Sequence, residues 1–194
     1  MRSLADLLAH RRTPRVMGFD DAPFAPTATV VDVAGVVVAG TRFEGMVWGQ
    51  ATRDGDDATA VLAQLLLGSK FADQVHAVLL DGLAVGGFNL VDLAALANTT
   101  GRPCLAVVRR LPNFPAITRA LQKLPDAPRR LALIERAGPV HAHPPFWFQI
   151  AGATAEEGAA LLARLTDRGH VPEALRLAHL VGSAVKLGQS GRRA

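Results

Sequence analysis

The chain has 194 residues, 49% of them hydrophobic and 20% charged, which excludes a disordered protein. Its one cysteine, Cys104, excludes a disulfide framework and a cysteine-cluster zinc site. The formal net charge is +4, and all the basic residues except Lys70, Lys123 and Lys186 are arginines. Guanidinium forks pair with phosphates, so nucleic acid is one expected partner; a GC-rich genome is the other explanation of the arginines. They are spread along the chain, with pairs at Arg11-Arg12, Arg109-Arg110, Arg129-Arg130 and Arg192-Arg193, and form no basic arm. No apolar run approaches the ~18 residues of a membrane span. The opening stretch carries Asp6 and no small-residue cleavage site, so the cytoplasm is the expected location and no membrane partner is expected.

In chain order, residues 3–11 read as a short amphipathic helix or arm. Strands are expected at 15–20, 28–39 and 42–50, with Gly35 as a bulge, and short links make these three an antiparallel meander. Apolar residues at 58, 61, 62, 65 and 66 predict a helix over 56–71, capped by Asp56 or Asp57. A buried strand follows at 75–80, then a helix from Asn89 to Asn98 closed by Gly101. Residues 103–108 read as another buried strand, 113–124 as a helix, and 129–135 and 146–151 as strands. A capping box, Thr154 with Glu157, opens a helix that Gly169 stops, and Pro172 opens the last helix, to about Lys186. Three antiparallel strands followed by alternating helix and strand predict an α/β mixed sheet with helices on both faces, the order of a ribonuclease H-like fold. Residues 1–194 are expected to form one domain, with an N-terminal helix or arm (1–13) and a flexible tail (188–194).

Asp20, with Asp21 beside it, ends the first strand, and Asp81 ends the first crossover strand. If those strands are neighbours, the two backbones lie about 5 Å apart. Like charges that close need a bridging cation or a proton. Mg²⁺ or Mn²⁺ suits such oxygen donors and would let the pair act on a phosphodiester. The cluster Asp54-Gly55-Asp56-Asp57 can supply a further ligand, or cap the helix that follows it. Asp21-Ala22-Pro23 also has turn chemistry, so the acids have a structural reading as well. Arg53, beside the acidic cluster, and Arg109 and Arg110, after the strand at 103–108, are candidate phosphate contacts; alternatively they neutralise the acids. Glu173, Arg176 and His179 recur on one helix face: Glu173 either pairs with Arg176 or joins His179 at the edge of the metal site. His141 and His143 read as a solvated edge, Gly86-Gly87 as a flexible turn or an anion nest, and Cys104 and Trp147 as core.

The segments Gly18-Phe19-Asp20-Asp21-Ala22-Pro23-Phe24, Leu80-Asp81-Gly82 with Gly86-Gly87-Phe88-Asn89, and Pro172-Glu173-Ala174-Leu175-Arg176-Leu177-Ala178-His179 occur in this order. Together they resemble the domain-of-unknown-function family numbered ninety-nine, over roughly residues 14–190. That family is similar to endonuclease V, which cuts DNA or RNA near deaminated bases using a divalent cation. The resemblance implies that Asp20 and Asp81 are catalytic metal ligands, with the segment from Pro172 to His179 beside them. The chain departs from endonuclease V between Trp48 and Asp57, which lacks the aromatic-proline wedge and the following glutamate. Asp54, Asp56 or Asp57 can replace that glutamate, and Asp57 is the candidate. A family histidine is also missing near Ile150-Ala151-Gly152-Ala153-Thr154. Three functions follow, in order: a metal-dependent nuclease, a nucleic-acid-binding protein that has lost cleavage, and a scaffold.

Overall fold

In a computed structural model, which describes residues 3–167 and 170–191, the chain begins with helix α1 (Leu4–Ala9), capped by the Ser3 side chain. Strands β1 (Arg15–Asp21), β2 (Val30–Ala39) and β3 (Arg42–Thr52) then form the expected antiparallel meander. Helix α2 (Ala58–Leu67) leads to β4 (Ala77–Asp81) and a small hairpin, β5 (Ala84–Val85) with β6 (Asn89–Leu90). Helix α3 (Leu93–Thr100) and β7 (Cys104–Val108) follow, then α4 (Phe114–Leu121) and α5 (Ala127–Arg136). Strands β8 (His141–His143) and β9 (Phe146–Ala151) precede α6 (Ala155–Leu165) and α7 (Glu173–Leu187). The main sheet runs β3-β2-β1-β4-β7-β9-β8. Strands β1, β4 and β7 are parallel, whereas β9 is antiparallel to β7 and to β8.

Alternation along the buried strands sends side chains to two cores. Met17, Phe19, Val78 and Leu80 meet α2 and α3 on one face, while Val16, Ala77 and Leu79 meet α6 and α7 on the other. Gly18 sets how closely α7 lies: a Cβ there would stand 2.7 Å from the Ala174 Cβ. Among the described residues no helix is long and apolar enough to cross a membrane.

Several local expectations change. Residues 129–135 lie in a helix, α5, not a strand. Leu131 and Leu133 alternate as strand residues do, but Pro128 suits a first turn, and Ala127, Arg130 and Leu133 share one buried helical face. Asn89 opens no helix; it pairs with Val85 in the hairpin and caps α2 from 31 residues away, its Oδ1 accepting from Ala58 N at 3.0 Å. The cap of α3 is Asp92, and Gly101 closes that helix in the left-handed conformation. Gly35 is no bulge; its missing side chain makes room for the Phe19 ring, and the irregularity falls between Val37 and Val38. The capping box at Thr154 and Glu157 is present. That helix, α6, ends at Leu165, before the expected stop at Gly169: Thr166 is already extended. Gly169 itself, the Arg192-Arg193 pair and residues 192–194 of the expected tail lie outside the described residues.

Arginines fasten much of this frame through backbone carbonyls. Buried Arg102 donates to the carbonyls of Ala72, Val75 and Thr100, and buried Arg130 to those of Asp54 and Phe88. Arg164 donates to Leu8 O at 2.8 Å, tying α6 to the end of α1.

Candidate active site

Phe19 and Leu80 are register partners in the parallel β1–β4 pair, so the next residues, Asp20 and Asp81, are neighbours at the strand ends. Asp20 is 7% exposed, while Asp81 opens to solvent. Burial, followed by the charges of Asp81 and Asp21, pushes the Asp20 carboxyl up to about 8. Burial also raises Asp81, against the pull of Arg109 and His179. The structure therefore joins two carboxyl groups that resist being charged together. His179 comes to them on α7, its Nδ1 lying 3.0 Å from Asp20 Oδ2.

Asp57 does not join this pair. Its carboxylate accepts from Thr52 N and Oγ1 and from Asn89 Nδ2, so both oxygens are committed to the β3–α2 turn. Burial opposes its charge, but these hydrogen bonds outweigh burial and hold its carboxyl below the usual range. Glu173 is also engaged elsewhere, accepting from Arg176 at 2.6 and 2.8 Å, so the ion-pair reading of that residue is the one the geometry shows. Arg53 pairs with Asp54 at 3.3 Å, donates to Pro26 O and lies over the Phe24 ring. It thus neutralises and fastens the acidic loop. Arg109 and Arg110 instead are exposed and line a cleft of about 820 Å³ with Asp81 and Gly82.

Gly86 and Gly87 adopt positive φ, but the turn receives the protein's own carboxylates: Gly86 N donates to Asp21 and Phe88 N to Asp54. His141 sits on the edge strand β8 against the Phe148 ring. Cys104 is buried, its thiol pushed up to about 12 by burial. Trp147, expected in the core, is half-buried and lines the same cleft as Asp81, as does His170. Strand alternation between Phe146 and Phe148 was the available signal.

Among the described residues no group of three or more His, Cys, Asp or Glu side chains is arranged to hold a metal ion. The oxygen pair of Asp20 and Asp81 fits a hard cation that takes its remaining ligands from water and substrate, as Mg²⁺ does.

A family model described as endonuclease dU matches residues 12–186. The chain belongs to the endonuclease dU family. A UPF0215 protein of Methanothermobacter thermautotrophicus is 39% identical over 186 residues, covering 91% of this chain and 89% of that relative. A UPF0215 protein of Deinococcus radiodurans is 40% identical over 184 residues, covering 94% of each chain. The crystal structure of a protein of unknown function from Archaeoglobus fulgidus superposes with a TM-score of 0.84 at 34% identity, covering 89% of this chain and 98% of that one. The catalytic domain of human endonuclease V gives a TM-score of 0.63 at 15% identity, over 97% and 89% of the two chains. A Ciona intestinalis endonuclease V in complex with inosine-containing DNA gives 0.60 at 16% identity, over 97% and 91%. The fold of this endonuclease dU family member is thus that of endonuclease V, a ribonuclease H-like mixed sheet.

Proposed function

We propose that the protein is a metal-dependent endonuclease acting on DNA or RNA, with Asp20 and Asp81 as catalytic ligands of Mg²⁺ or Mn²⁺. The observation that carries this reading is the pairing of Asp20 with Asp81 at adjacent parallel strand ends, next to the exposed Arg109 and Arg110. Bound there, the ion supplies charge neutralisation and a more acidic water. Asp20 and Asp81 would hold it. His179 holds the Asp20 carboxyl in position, and Arg109 and Arg110 bind the phosphate.

An apolar cavity of about 200 Å³ shares Val108 with the cleft and is lined by Leu83, Phe88, Phe114 and Ile117. Its walls suit a base turned out of the stack. The family's name and the inosine-containing DNA bound by the Ciona protein make a deaminated base the one to test.

The test is incubation with oligonucleotides carrying deoxyuridine, inosine or neither, with Mg²⁺, Mn²⁺ or EDTA. Metal-dependent cleavage by the parent protein, abolished in Asp20→Asn and Asp81→Asn, supports the reading. Cleavage that survives both substitutions overturns it. Binding without cleavage is the second reading, favoured by the commitment of Asp57 to the β3–α2 turn. It predicts retention of the oligonucleotides uncut under every metal condition.

A further inference from the structure

The cleft beside Asp81 has one aromatic wall. Phe146 and Phe148 are buried in the core under α6 and α7, and alternation along β9 turns Trp147 to the other side. The indole is half-buried and lines the cleft with Asp81, Arg109, Arg110 and Pro145. Register fixes the spacing: Asp81 is level with Val107 across β4–β7, and Val108 is level with Trp147 across β7–β9. Two strand spacings separate the Asp81 and Trp147 backbones, roughly 10 Å; the two side chains leave opposite faces of the sheet and both line the cleft at its edge. Arg109 follows directly on Val108, so the cations stand at the same sheet edge.

Two exposed guanidinium groups and an open indole match two parts of one nucleotide unit. The guanidinium forks suit its phosphate, and the aromatic surface suits its base. A core role alone leaves the placement of the indole in an open cleft beside Asp81, Arg109 and Arg110 without a purpose. We propose that Trp147 is a base-stacking residue that holds one unit of a polynucleotide beside the Asp20–Asp81 pair, its phosphate on Arg109 and Arg110. This inference rests on the nucleic-acid reading above, but not on cleavage. Stacking tolerates any base, so Trp147 supplies grip and leaves base choice to other walls.

The protein has two tryptophans, so Trp48→Phe leaves Trp147 as the sole fluorophore. That variant is titrated in EDTA with a short oligothymidylate and, separately, with thymidine monophosphate. Saturable quenching by the oligonucleotide, with much weaker quenching by the mononucleotide, is the expected result. Equal affinity for the mononucleotide overturns the polynucleotide reading. In parallel, anisotropy of a labelled oligonucleotide compares Trp147→Phe with Trp147→Leu. Leucine should weaken binding by roughly 5- to 150-fold, and phenylalanine by less. Binding that leaves Trp147 emission unchanged, or equal affinity in both variants and the parent, overturns the assignment. If nothing binds, the nucleic-acid reading falls with it. Quenching without cleavage in the metal assays overturns only the endonuclease reading.

Discussion

Asp20 pairs a buried carboxyl with a neighbouring carboxyl, and the consequence reaches stability. Its ordinary value near 3.8 rises to about 8 in the fold, through burial first and then Asp81 and Asp21. Between those values the unfolded chain has lost the proton and the folded chain keeps it, so folding weakens as pH rises through the window and levels off above it. In EDTA, the Tm advantage of Asp20→Asn over the parent protein should therefore grow from about pH 4 to about pH 8. A pH-independent difference between the two proteins would contradict this. Mn²⁺ should raise the Tm of the parent at the upper end of the window and leave Asp20→Asn unmoved. His179 acts through the same carboxyl, as a positioning residue. Outer partners of this kind are worth ~10–100-fold in metal affinity or activity, so His179→Ala should lose that much by calorimetry or cleavage while its Tm holds. A large drop in Tm with intact metal affinity would make the contact purely structural.

Helix α7 owes its place to a glycine. The Gly18 Cα leaves room for the backbone of Ala174 and Leu175, and Gly182 faces Ala22 in the same way. Gly18→Ala should cost about 1–3 kcal/mol by overpacking, seen as a lower midpoint in chemical denaturation. An unchanged midpoint would show that α7 shifts freely, and with it His179. How much of this was legible in sequence follows from range. β1 and β4 are continuous apolar runs ended by Asp, so the strands and their acids could be read locally. Their adjacency stayed conditional in the sequence, because strand order is set by packing across the sheet, and the structure makes β1 and β4 neighbours. Residues 129–135 failed because two alternating leucines fit both a strand and a helix. Asn89 was misplaced for a different reason: its bonds to Ala58 and Asp57 cross 31 and 32 positions, which no local spacing encodes, whereas Asp57 is held mainly by Thr52, five positions before it. Trp147 was misread between two phenylalanines although strand alternation already separated it from them.

At the scale of the molecule, the question is how a nucleic acid would meet this sheet. The parallel strands β1, β4 and β7 end together, and the exposed Arg109 and Arg110 stand beside Asp81 at that edge. Each phosphate contact should contribute about 0.7 to the slope of log affinity against log salt on single strands and about 0.9 on duplex. Replacing Arg109 and Arg110 together with alanine should reduce that slope by roughly one to two units, measured by anisotropy across a salt series. An unchanged slope would move the contact elsewhere. Four other guanidinium groups have a different employment. Arg102, Arg130 and Arg164 face inward onto carbonyl oxygens, and Arg53 is spent on Pro26 and Asp54. They act as rivets, and the charge of Arg53 and Arg130 is matched by Asp54 and Asp126. A tally of basic residues therefore exaggerates what a polyanion meets, and lysine would be a poor stand-in at these seams, because a single ammonium cannot span several carbonyls in one plane. Ionic strength should divide the arginines into two populations: a sparse outer set that yields its ligand to salt, and an inner set whose seams stay closed.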